Sequence, residues 1–172
     1  MAFDYNLFAN QIKTLLVADA ASIASSLSVN YPTITTDSIG IGEPTQIARS
    51  VDRYPFIVIQ LDQKTNEFES LGLGANGKAS KMVTSSVNLY GFIHVASDSQ
   101  DSDKQCFTFA RNIENVIDKN PYYEGSTTSQ SWDKALVTNV TFGEDAYKEP
   151  SSDETYVSPC KIEVEFTKYD FR

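Results

Sequence analysis

Tyr156-Val157-Ser158-Pro159-Cys160-Lys161-Ile162-Glu163-Val164-Glu165-Phe166-Thr167-Lys168-Tyr169 alternates apolar and polar side chains over most of its length. Successive side chains of a strand point to opposite faces, so this alternation marks a strand with one buried face. Tyr156, Cys160, Ile162, Val164 and Phe166 turn inward, while Lys161, Glu163, Glu165 and Thr167 turn outward. Pro159 has no N–H to give to a ladder, so it predicts an edge or a bulge at the strand's start.

The same period of two recurs upstream. Over residues 82–96, Val83, Val87, Leu89, Ile93 and Val95 share one face, and Thr84, Ser86, Asn88 and His94 share the other. Ala135–Phe142 reads as a further strand. Phe56-Ile57-Val58-Ile59-Gln60-Leu61 is apolar on both faces and rich in β-branched residues, which predicts an interior strand. Residues 33–53 read as irregular, with a short strand near Thr33–Ile39.

Two segments carry helical spacing instead. Phe8, Ile12, Leu15, Leu16, Ile23 and Leu27 recur along residues 3–27, with Asp4 as N-cap and Tyr31-Pro32 as the stop. Cys106, Ala110, Ile113 and Ile117 form a stripe along a second helix, Phe107–Asp118, with Phe109 and Val116 beside it. The run Ser97-Asp98-Ser99-Gln100-Asp101-Ser102-Asp103 supplies caps and acids ahead of it. Residues 121–133 read as a Tyr/Ser/Thr loop. The order is α, (β), β, β, α, β, β. It predicts one α+β domain over residues 1–172, a mostly antiparallel sheet of about four to five strands flanked by two main helices.

The chain has 172 residues, enough for one domain with its own core. Its formal net charge of −9 argues against general affinity for nucleic acid phosphates or anionic membranes. It suits a soluble protein, or a wall along which DNA slides without sticking. Cys106 and Cys160 read as buried free thiols. No apolar run approaches a membrane span, and the first residues lack a basic-then-apolar leader, so the expected site of synthesis is the cytoplasm.

Leu71-Gly72-Leu73-Gly74-Ala75-Asn76-Gly77-Lys78-Ala79-Ser80 matches two glycine-rich phosphate-loop spacings. Such a loop needs a buried strand before it and a helix after it, and position 79 is Ala where a magnesium-binding hydroxyl belongs. The alternating residues from Met82 onward predict a strand instead. Residues 62–81 thus read as a connection of about 20 residues, long for a hairpin. Phe68, Leu71 and Leu73 have no core to cover within it, and Lys78 and Lys81 add positive charge to an acidic chain. Two readings fit the loop: a mobile surface loop without a partner, or an arm that orders against another subunit, with these five residues as the candidate partner interface.

Nothing else builds a reactive centre. His94 is the only histidine, with no ligand-spaced Cys, Asp or Glu beside it. Asp98, Asp101 and Asp103 lack the glycine and closing glutamate of a calcium loop. No nucleophile elbow occurs, so no catalytic residue, cofactor or metal is expected.

The order of segments resembles the tail terminator and tail-completion (neck) proteins of tailed bacteriophages. The carriers are the helix over residues 3–27, the strand opening Arg53-Tyr54-Pro55-Phe56-Ile57-Val58-Ile59, and the long loop. They continue with Val87-Asn88-Leu89-Tyr90-Gly91-Phe92-Ile93-His94-Val95, the helix Phe107–Asp118 and two closing strands. The resemblance spans nearly the whole chain and implies an α+β subunit of a hexameric ring. It implies further copies of the chain, the tail tube protein and the head connector as partners, and the virion as its place. The Gly72–Lys78 loop is no signature of that family, and a nucleotide- or small-ligand-binding domain using it, or another minor tail or baseplate component, stands as the alternative.

Overall fold

A computed structural model describes residues 4–27, 33–44, 54–69, 80–94, 99–124, 132–143 and 157–171. Helix α1 (Tyr5–Ala18) starts at Asp4, whose carboxylate accepts the backbone N–H groups of Asn6 and Leu7 at 2.9 and 3.0 Å. Those donors have no partner inside a helix, so the cap satisfies them. The helical reading of residues 3–27 breaks at Asp19, and a short α2 (Ala20–Ile23) follows. The apolar spacing runs across the break, so Ile23 is buried like the residues of α1.

A 3-10 turn at Thr36–Ser38 leads into β1 (Ile39–Ile41), which lies later than the strand expected near Thr33–Ile39. Then come β2 (Phe56–Glu69), β3 (Ser80–His94), helix α3 (Ser99–Lys119), β4 (Lys134–Phe142) and β5 (Val157–Phe171). The five strands form one sheet in the order β1-β2-β3-β5-β4. Only β1 and β2 run parallel; the other neighbours are antiparallel. The fold is α+β, with a mostly antiparallel sheet, as the alternation predicts.

One sheet face carries the helices. Ile57 and Ile59 of β2, Val87, Leu89 and Ile93 of β3, and Cys160, Ile162, Val164 and Phe166 of β5 share a core with α1 and α3. All six α3 residues named from the sequence, Cys106, Phe109, Ala110, Ile113, Val116 and Ile117, are buried in it. The helix sits close to the sheet at Gly91. A Cβ there would stand 2.7 Å from Cys160 Sγ and 2.9 Å from a ring carbon of Phe109, so the position has no room for a side chain.

Residues 121–133 are more than a polar loop. Tyr123 and Trp132 exchange backbone hydrogen bonds at 2.9 and 3.1 Å, and their rings stack with centroids 4.9 Å apart. Trp132 is 1% exposed, lies edge-on to Phe8 and Phe166, and donates its indole N–H to Asn120 O at 3.2 Å. It closes the core beneath the first turns of α1, and the donated N–H removes the cost of burying a polar group.

Pro159 lies in an inner strand, yet one residue past the last β4–β5 pair, Phe142↔Cys160. The edge it predicts is local. Thr167, expected to face out, is 5% exposed. Its carbonyl accepts Asp133 N at 2.8 Å, and the Asp133 carboxylate accepts Tyr169 N at 2.6 Å, so the chain ahead of β4 closes over this end. Val95 and Tyr156 lie outside the described residues.

Candidate functional site

About half of the connection expected over residues 62–81 is strand. Pairing of β2 with β3 continues from Phe56↔Phe92 to Glu69↔Ser80, which leaves only residues 70–79 between the partners. A β-bulge between Leu61 and Gln63 hides this from the sequence, because an extra residue shifts the period of two onto the other face. Phe68 and Lys81 are therefore not loop residues: they face each other across the hairpin. Leu71, Leu73 and Lys78 lie outside the described residues, as does the whole stretch Gly72–Lys78. Ser80 enters a strand directly, so no helix N-terminus follows the glycines to meet a phosphate. The hairpin prolongs the sheet: β2 reaches solvent at Asp62 and Gln63, six further residues pair with β3 beyond them, and β3 stays paired with β5 as far as Ser80↔Phe171.

At the root of the hairpin, a groove of about 270 Å³ separates the first turn of α1 from the β2 bulge. Tyr5, Phe8, Leu61, Asp62, Lys64 and Ser85 line it. The Lys64 ammonium stands 5.6 Å from the Tyr5 ring centroid, a cation–π contact. Ser85 is 5% exposed, and its hydroxyl finds no hydrogen-bond partner among the described residues.

The sheet face away from the helices has two zones. Phe56, Val58 and Phe92 form a small second apolar cluster, with Tyr54, Tyr90 and Val157 packed on it. Beyond it, the registers place Gln60, Asn88, Glu163 and Asn139 in one row across four strands. Lys161 donates to Glu163 at 2.7 Å, which raises the Lys161 pKa. Burial raises that of Tyr90, with the Lys161 charge opposing. Both shifts favour the protonated forms and describe a tidy surface network, with no group held in a reactive state.

Exposed apolar side chains gather at the β4 edge. Phe107 of α3 and Phe142 of β4 meet edge-to-face at 4.7 Å, both open to solvent, and Leu136 is exposed on the other face of the strand. Neither residue of this pair stands out in the sequence. Phe107 lies just off the buried stripe of α3, and only its position beside the end of β4 gives it meaning.

The acids before the second helix are part of it. α3 begins at Ser99, so Asp101 and Asp103 belong to its first turns, where they favour its positive end. Asp103 accepts the Ser158 hydroxyl at 2.8 Å. Among the described residues, no group of three or more His, Cys, Asp or Glu side chains could hold a metal ion, and no helix is long and apolar enough to cross a membrane. Neither protein-family models nor curated proteins give a match to this chain.

Proposed function

We propose that the chain is a ring-forming structural subunit of a tailed-bacteriophage virion, a tail terminator or neck component that caps the tail tube and faces the head connector. The observation that carries this reading is the long β2–β3 hairpin. It runs as paired strand to Glu69↔Ser80, places Phe68 and Lys81 at facing positions, and prolongs the sheet far beyond what the α1–α3 core covers at β2, where Asp62 and Gln63 reach solvent. An apolar residue in so polar a stretch suits a contact with another chain. The exposed Phe107, Phe142 and Leu136 add a second surface remote in sequence from the hairpin. A ring needs two different patches that meet through a fixed rotation. The net charge of −9 per copy suits a passage that DNA crosses without stable binding.

A nucleotide-binding role for Gly72–Lys78 draws no comparable support, since the chain continues from it into β3. The test replaces residues 70–79 by a two-residue turn, which the facing positions of Glu69 and Ser80 can accept, and combines this with Phe68→Ser and Lys81→Ser. The variant is expected to melt like the parent but to stay monomeric and leave tail tubes uncapped. A variant that assembles and caps normally refutes the hairpin's role.

A further inference from the structure

The sheet ends at β4 on one side and at β1 on the other. Each end bears an exposed apolar side chain. At the β4 end Phe142 meets Phe107 of α3, and both are open to solvent. At the β1 end Ile41 is 39% exposed, although Ile39 on the same strand is buried. The registers Ile41↔Ile59, Ile59↔Leu89, Leu89↔Ile162 and Ile162↔Val140 join the two ends in one row, and Phe142 lies two residues along β4 from it. Paired residues of a row share a face, so Ile41 stands on the helix side with Ile59, the side on which Phe142 reaches α3.

The two ends differ in charge. Lys104, Phe107 and Arg111 are exposed and spaced three and four apart, so they share one face of α3. The described acids beside them are Asp103, which holds the Ser158 hydroxyl at 2.8 Å, and half-buried Glu114. Around Ile41 the exposed charges are acidic. Asp37 lies in the turn before β1, and Glu43 just after it accepts the Gln60 amide at 2.9 Å. The nearby Lys13 ammonium is engaged by the Ile39 carbonyl. Two cations beside one apolar patch stand out in a chain of net charge −9.

We propose that the β4 end of one copy docks on the β1 end of a second copy, with Phe107 and Phe142 packed on Ile41 and with Lys104 and Arg111 facing Asp37 and Glu43. The contact rests on the ring reading above and names the surfaces through which its copies meet. A two-fold contact of the β4 end with itself would set Lys104 and Arg111 against the same cations, which like-charge repulsion opposes. Opposite ends of one sheet meet head to tail instead, and a head-to-tail contact closes into a ring when its rotation divides the circle. The β2–β3 hairpin prolongs the same side of the sheet that carries β1, so its contact and this one are continuous.

Native mass spectra and melts of full-length variants, alone and with purified phage tail tubes, test this contact. The parent is expected to assemble. Lys104→Glu with Arg111→Glu is expected to melt like the parent, yet to lower the assembled fraction at least about tenfold, because it sets like charges across the contact. Adding Asp37→Lys and Glu43→Lys is expected to restore assembly. A chain with both Ile41→Cys and Phe142→Cys is treated with a short bis-maleimide and run on a denaturing gel. Covalent multiples of the chain are expected, and only monomer from either single variant. Native Cys106 and Cys160 are buried and do not compete. The contact is overturned, and the ring reading stands, if the parent assembles but charge reversal leaves assembly unchanged, the folded swap fails to rescue it, no multiples form, or a single variant gives dimers. If the parent stays monomeric with tubes present, the ring reading falls and this contact with it.

Discussion

Replacing Gly91 by Ala tests how closely α3 sits on the sheet. The new Cβ would stand 2.7 Å from Cys160 Sγ and 2.9 and 3.1 Å from two ring carbons of Phe109. Cys160 and Phe109 are both fully buried, so neither can swing aside into solvent. Overpacking of this kind costs about 1–3 kcal/mol. The stiffer unfolded chain returns about 0.4–1 kcal/mol. The balance is a loss of about 1–2 kcal/mol. For a domain of this size that lowers the thermal midpoint by about 2–8 °C. Cys160→Ala alone removes one buried sulfur and costs about 0.5–1.5 kcal/mol. In the double variant the new methyl takes the sulfur's space, so the combined loss falls short of the sum by about 0.5 kcal/mol or more. Urea denaturation of the four proteins under reducing conditions measures all three terms. A neutral or stabilising Gly91→Ala, or strict additivity in the double variant, would refute the close approach.

Val164→Asp places a carboxylate among Val87, Val137 and the α3 stripe, in a layer that is apolar among the described residues. The expected loss exceeds about 4 kcal/mol. A soluble variant that still melts cooperatively by circular dichroism contradicts the β5 register. Alkaline pH gives a further check. Tyr90 and Lys161 both have raised pKa values in the folded state, so the unfolded chain releases those protons first. Stability is then full below the ordinary values of 10.0 and 10.5 and falls as pH rises through them. Tyr90→Phe is expected to reduce that fall in a series of melts, and a parent midpoint that stays flat or climbs up to about pH 11 contradicts the assignment.

The sequence discloses the parts of this fold where one face is wet and the other dry. β5 and the upper half of β3 alternate cleanly because helices cover one side only. The lower hairpin is silent for a physical reason. From Asp62 to Glu67 the residues are polar on both faces, and the bulge at Leu61/Gln63 resets the period, so a paired strand reads as a loop. The first turns of α3 are silent too, because Ser99–Asp103 carry no apolar stripe and look like a cap. β1, three residues long, offers no period at all. Trp132 could have been found, since a lone tryptophan in a Tyr/Ser/Thr loop has few places to go but a core. The candidate interface was half legible: an apolar Phe68 in a polar stretch signals a contact, but its pairing with Lys81 depends on a register that no local pattern encodes.

The central claim is that this chain assembles with itself into a ring that closes a tail tube. Native mass spectrometry of the purified protein, alone and with purified phage tail tubes, tests this proposal most directly. The account predicts a discrete particle of about 115 kDa, six copies of the 19.1 kDa chain, seen by electron microscopy as a ring on one end of each tube. A monomer that stays at 19.1 kDa with tubes present, and leaves both tube ends bare, would contradict it.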